Sequence, residues 1–281
     1  MTRHSPISPG ARHGIVTLSL AVALAFCTMA KARAADDLYR AQTVLTGQGE
    51  ANRMIGFAAC LEDVLIKISG ALQLAGDPRL QPYKARARDF VTTYRYHDKM
   101  SGTPVRDEQG TRDRPYDLFV DFDEAKVNGI LSELGLRPWR SRPVLGVFVA
   151  MEQGARIYPV TSDARQSDLQ RDALLAAADK RGIKIVLPDD AALAHANLNA
   201  DGLARMSPAA LAPVVAAGGA EFVLIGHLRW DDADLGWATD WRFDWQGRPY
   251  RWQFRGVTFD EAFRRGIGGA AQILSGNGDP G

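Results

Sequence analysis

Residues 237–255 read WATDWRFDWQGRPYRWQFR. At a period of two, Trp237, Thr239, Trp241, Phe243 and Trp245 share one face, and Asp240, Arg242 and Asp244 the other. The tryptophans alone would also fit helical spacing, but Phe243 and the unbroken charged face select a strand. After Gln246-Gly247-Arg248-Pro249 the alternation resumes, with Tyr250, Trp252 and Phe254 opposing Arg251, Gln253 and Arg255. The stretch is therefore expected to form a hairpin, with Asp244 across from Arg251 and Asp240 across from Arg255 on the outer face. Aromatics held on one face fill a core, so they are expected to pack against helices and not to form a sugar-binding platform.

The segments around this hairpin set the fold class. Residues 144–151 (VLGVFVAM) form a continuous apolar run, as expected of a strand covered on both faces. Ser167-Asp168-Leu169-Gln170 reads as a capping box opening a helix that runs to about Arg181. Gly182 ends it, and 183–187 follows as a second buried strand. Ser207-Pro208 opens another helix, closed by Gly218-Gly219 before a strand over 221–230. Thr258-Phe259-Asp260-Glu261 is a second capping box, starting a last helix that reaches Leu274. The order β-α-β-α-β-β-β-α predicts an α/β domain over 144–274, its mixed sheet ending in the aromatic hairpin under covering helices.

The first half reads differently. A strand over 38–45 precedes a helix in which Met54, Phe57, Leu61, Val64, Leu65 and Ile68 recur at helical spacing until Gly70. Asp77-Pro78 is expected to open a second helix reaching about Thr93. Residues 116–122 alternate as a strand, and Asp123 caps a third helix ending at Gly135. This is a smaller α+β unit over 35–140, separated from the second by the proline-bracketed Pro138-Trp139-Arg140-Ser141-Arg142-Pro143. The glycine-rich 275–281 is expected to be a disordered tail.

Residues 1–34 read as a cleavable export signal. Arg3 and Arg12 precede the apolar run 15–30, and Ala32-Arg33-Ala34 is a small-x-small cleavage site, so the mature chain starts at Ala35. The run is shorter than the roughly 20 residues a spanning helix needs, and no later segment approaches that length. A large Phe26 before Cys27 argues against lipidation. These features place the protein in the periplasm, with no integral membrane segment after cleavage. Loss of Arg3, Arg12, Lys31 and Arg33 with no acid leaves 30 basic residues against 33 acidic, a net −3. That balance argues against a nucleic-acid binder, which would carry a basic excess. Cys60 becomes the one remaining thiol, expected as a small buried hydrophobe.

Signatures of chemistry are sparse. Gly266-Ile267-Gly268-Gly269-Ala270-Ala271 matches G-x-G-x-x-A, but lies inside the last helix with no βαβ unit after it. Small residues there let the helix sit close to the sheet. His97, His195 and His227 are scattered, His227 in an apolar strand where a hydrogen-bonded core histidine is expected. Neither a metal site nor any other cofactor is expected. Asp231, Asp232 and Asp234 read as a turn and not a calcium loop. No G-x-S-x-G elbow is present. The densest carboxylates lie in 107–124 (DEQGTRDRPYDLFVDFDE). Asp117 and Asp121 belong to the polar face of a strand, and Asp123 to a cap. Asp107, Glu108, Arg112, Asp113 and Arg114 keep no local structural duty, and they are the candidate recognition residues together with Trp139 and Arg142.

The G-x-G-E-x-N-R run from Gly47, Phe57-Ala58-Ala59-Cys60-Leu61, the 64–70 segment and the loop 107–116 carry a family resemblance. So do Leu134-Gly135-Leu136-Arg137-Pro138-Trp139 with Arg142-Pro143, the 180–188 segment and the 222–228 strand. Across nearly the whole mature chain the sequence resembles the proteobacterial exported family called domain of unknown function 2066. The resemblance implies export and carries no established activity, so no catalytic residue is transferred. The second half is also similar to the α/β domain of TolB and of curli-export and penicillin-binding-protein-activating lipoproteins, which implies partner binding. We therefore expect an exported, non-enzymatic protein that binds an envelope protein or glycan. The alternatives are an envelope enzyme acting on glycan or peptidoglycan with the 107–113 carboxylates, and a small-ligand binder in a cleft between the halves.

Overall fold

The structure is a computed structural model and describes residues 38–101 and 114–280. The expected export signal, with its expected cleavage site, and the loop residues Asp107, Glu108, Arg112 and Asp113 lie outside the described residues.

The first unit begins with strand β1 (Arg40–Thr46) and helix α1 (Glu50–Ser69). Gly70 ends α1 because it takes the left-handed conformation (φ 74°) that other residues resist. Strand β2 (Val91–Asp98), strand β3 (Pro115–Phe122) and helix α2 (Glu124–Glu133) complete it. Asp123 caps α2 as expected, accepting the Lys126 N–H at 2.9 Å. The strands form an antiparallel sheet in the order β1-β3-β2, and α1 buries Phe57, Leu61, Val64 and Leu65 against it and α2.

The predicted helix from Asp77 to Thr93 does not form. Asp77 does cap Arg79, but only single turns follow, at Pro78–Leu80, Gln81–Lys84 and Ala87–Phe90. From Val91 the chain is β2 instead. Its Thr92, Thr93, Tyr94 and Tyr96 favour a pleated surface over a helix, and Tyr94 stacks edge-on against Phe57 with centroids 5.2 Å apart.

The second unit runs through β4 (Leu145–Gln153), β5 (Arg156–Pro159), α3 (Asp168–Lys180), β6 (Ile185–Val186), α4 (Asp190–His195), α5 (Ala200–Arg205) and α6 (Pro208–Val215). It ends with β7 (Phe222–Asp231), β8 (Gly236–Trp245), β9 (Arg248–Val257) and α7 (Phe259–Leu274). The mixed sheet has the order β5-β4-β7-β8-β9, with β6 also beside β4. Strand β4 runs parallel to β7 and β6, and the other pairs are antiparallel. Helices α3 and α7 cover one face; α4, α5 and α6 cover part of the other, above Phe148, Val223 and Ile225. The unit is thus a three-layer α/β structure.

The aromatic hairpin forms and its tryptophans face the core: Trp241 is fully buried and Trp237 and Trp252 nearly so. Its register differs from the expectation by two residues. Gln246 (φ 52°) and Gly247 (φ 75°) both take positive φ, which makes a two-residue turn and sets Trp245 across from Arg248. Asp244 therefore faces Pro249, and Asp240 faces Gln253. Because the slip is two residues, each side chain keeps its face. Asp240 still receives Arg251, now on the diagonal, at 2.7 Å from Nε.

Three smaller readings are also corrected. Ser167 does not cap α3: it closes a tight turn over Arg165–Ser167, and its hydroxyl donates to Ala164 O and accepts the Thr161 N–H. The strand expected over 183–187 shrinks to Ile185–Val186. The glycine-rich tail hydrogen-bonds back on the fold as far as Asp279, with Gln272 Nε2 donating to Asp279 O at 3.0 Å and Asn277 Nδ2 to Ser69 O at 2.8 Å.

Cys60 is buried in the first core, and burial pushes its thiol up to about 12. Because the thiolate is the reactive form, Cys60 is expected to stay unlabelled by maleimide in the native protein at neutral pH and to react in urea. Mass analysis of the peptide carrying Cys60 checks this; rapid native labelling would contradict it.

Candidate functional site

Helices α4 to α6 leave the far half of their sheet face uncovered, and a groove of about 490 Å³ lies there. Its floor comes from Glu152 on β4, His227 and Arg229 on β7, Asp240 and Arg242 on β8, and Arg251, Gln253 and Arg255 on β9. Alternation along each strand puts these polar residues opposite the aromatic face. Four arginines face two carboxylates, so the groove carries a net +2 with His227 neutral.

The arginines have different duties. Arg242 is tied to the fold: Nη1 donates to Met206 O at 2.8 Å and Nη2 to Ala204 O at 2.7 Å, satisfying carbonyls at the C-terminus of α5. Burial lowers its pKa from the ordinary arginine value, with Asp240 acting in the opposite direction. Arg251 and Gln253 both donate to Asp240 Oδ2, which ties β9 to β8. His227 Nε2 lies 2.9 Å from Glu152 Oε2. This corrects the expectation of a core histidine, because Gly226 and Leu228, not His227, turn toward the aromatic layer. Arg229 and Arg255 are exposed and form no ion pair among the described residues. The hydroxyl of Thr239 is committed to the backbone of Phe254, leaving it poorly placed as a nucleophile. Among the described residues no group of three His, Cys, Asp or Glu side chains could hold a metal ion.

Of the residues singled out in the sequence, Arg114 sits at the end of β3, 3.3 Å from Asp98, while its carbonyl accepts the Gly47 N–H. Trp139 and Arg142 lie at the seam between the units, and neither lines the groove. There they complete the C-terminus of α1, whose last four carbonyls have no partner inside the helix. Ile66 O accepts the Gly70 N–H, Lys67 O accepts Arg142 Nη2 at 2.6 Å, Ile68 O accepts the Trp139 N–H at 2.7 Å, and Ser69 O accepts Asn277. The same Arg142 donates through Nη1 to Arg181 O at 2.8 Å and Gly182 O at 3.2 Å, just past the end of α3. Its guanidinium also lies over the Trp139 ring, 4.5 Å from the centroid. Burial lowers the Arg142 pKa to about 10, still well above neutrality, so it remains a cation. One guanidinium thus joins a helix end from each unit.

A second cleft, of about 510 Å³, opens between the units beside Arg40, Asp63, Lys67 and Lys180. Its charges are largely committed: Lys180 to Asp63 at 2.8 Å, Arg40 to Asp121 at 2.5 Å, and Lys67 to Arg40 O at 2.7 Å. The arginine groove was missed from the sequence because its members come from four strands. The available signal was the row of charges at 240, 242, 251 and 255 on the outer face of the hairpin.

Fold and site define a two-unit protein: an α+β unit joined to an α/β unit that bears an open, arginine-lined sheet face. Residues 32–140 match the model of a family described as a domain of unknown function (DUF8605), whose number differs from that of the family the sequence resembles. No curated protein and no solved structure matches the chain. No helix among the described residues is long and apolar enough to cross a membrane.

Proposed function

We propose that the protein is an exported, non-enzymatic protein of the periplasm that binds an anionic envelope partner through the groove of its second unit. The supporting observation is the exposure of Arg229 and Arg255, without ion pairs among the described residues, beside a floor whose other charges are satisfied. Uncommitted cations on a rigid sheet can steer and hold an acidic surface without rearrangement. The inter-unit cleft supports a small-ligand reading less well, because its charged groups are already paired, Lys180 with Asp63 across the units and Arg40 and Lys67 within the first.

Exposed charge reversals away from the core leave folding nearly unchanged. We expect the wild-type chain to capture a protein partner from crosslinked envelopes, and Arg229→Glu with Arg255→Glu to recover about tenfold less of it. Equal recovery by both, or no partner at all, overturns the groove reading. Turnover of muropeptides by the purified wild-type chain would overturn the non-enzymatic part.

A further inference from the structure

The groove ends at β9, and β9 ends the sheet. Among the described residues it pairs with β8 alone, and no backbone hydrogen bond outside that ladder involves Arg248–Val257. The strand is 10 residues long and mostly exposed. Pro249 has no N–H and Gly256 takes positive φ (67°), so the row of N–H and C=O groups offered to another extended chain lies between them. We infer that the partner docks here as an added β-strand, through a segment that alternates acidic and apolar residues. This deepens the groove reading and rests on it.

The chemistry of the two faces of β9 selects the occupant. Arg251, Gln253 and Arg255 point to the groove face, and Tyr250, Trp252 and Phe254 to the aromatic face. Tyr250 and Phe254 stay half-buried at the rim of the core, with Arg248 over one ring and Arg265 over the other. An added strand places each side chain beside one of β9 on the same face. Residues next to Arg251 and Arg255 are then acidic, the one next to Gln253 polar, and those next to Trp252 and Phe254 apolar. The pattern acid–apolar–polar–apolar–acid reads the same in both directions, so it suits parallel or antiparallel addition. A second copy of this chain is a poor occupant. Antiparallel pairing about Gln253 would set Arg251 against Arg255 twice, and like charges directly opposite are destabilising. Arginines on this edge therefore discourage self-association while admitting an acidic strand.

A capped peptide with the order glutamate, valine, threonine, valine, glutamate tests this directly. The full chain is expected to bind it, and Arg255→Glu to weaken binding about tenfold, whereas Arg229→Glu, two strands in from the edge, should leave it nearly unchanged. In a strand, alternate amides point to the same edge. N-methylation of the two valines and N-methylation of the other three residues should therefore differ, one set abolishing binding and the other preserving it. On binding, amide exchange in the 248–257 segment should slow. If both methylated peptides bind like the parent, the acids meet the groove through side chains alone and strand addition is overturned. Failure of the parent peptide to bind also overturns it. A capture from envelopes that still depends on Arg229 and Arg255 would leave the groove reading standing in either case.

Discussion

Replacing Trp241 with alanine is expected to lower the unfolding free energy by about 3–5 kcal/mol, the range for deleting a large buried aromatic. Trp241 is fully buried at the middle of β8, with Gly226 on β7 to one side and Gly266 on α7 above. A Cβ on Gly226 would stand 2.6 Å from Trp241 Cζ3, and one on Gly266 would stand 2.6 Å from Cη2. Both glycines are therefore spaces cut to the indole; in the G-x-G-x-x-A run Gly266 clears Trp241 and Gly269 clears Trp252, so packing accounts for these two without a nucleotide. Gly266→Ala alone should cost about 1–3 kcal/mol, because a rigid ring in a packed core cannot yield. In the Trp241→Ala background the same change meets no ring, so its cost should nearly vanish. Urea titrations of the two single variants and the double variant check this. Additive losses would mean that Gly266 matters for a reason other than the ring. Trp241→Phe is the milder control: it also removes an indole N–H that has no hydrogen-bond partner among the described residues.

The second large effect is expected at the seam. Arg142→Ala should destabilise the protein by about 2–4 kcal/mol, since charged donors to several carbonyls are lost together. The carbonyls of Lys67, Arg181 and Gly182 would be left near two helix ends with negative partial charge. Arg142→Lys should recover little, because an ammonium lacks the planar fork that spans acceptors on two helices. The readout that separates this seam role from general destabilisation is protease cleavage in the 138–144 linker, which should accelerate in both variants below the unfolding midpoint. Wild-type cleavage rates in Arg142→Ala would show that the units are held by other contacts.

How much was legible depended on how local each signal was. The cap at Asp123, the stop at Gly70 and the Thr258 cap of α7 act within one helical turn, and each appeared where its residues predicted. Ser167 carried the same cap signature and failed, because a tight turn before α3 claimed its hydroxyl. Strand β2 was hidden by an Asp-Pro helix signal that tertiary pairing with β3 overrode. Trp139 and Arg142 stood out as signature residues, but a recognition role was read into groups that the structure uses to close helix ends. The loop residues Asp107, Glu108, Arg112 and Asp113 lie outside the described residues.

By itself the sequence determined which face each hairpin residue occupies, since strand alternation survives even a two-residue slip in register. It likewise determined the α/β class, through the order of its caps and apolar runs. Only the tertiary structure decided which charges become neighbours. Arg229, Arg242 and Arg255 meet because β7, β8 and β9 are laid side by side, and Arg142 reaches Lys67 and Arg181 across 75 and 39 residues of chain. Periodicity assigns a side chain to a face, but the neighbours on that face are set by strand order, turn geometry and the uneven cover of the helices. That uneven cover turned the plain outer face of an aromatic hairpin into the groove we propose as the binding site.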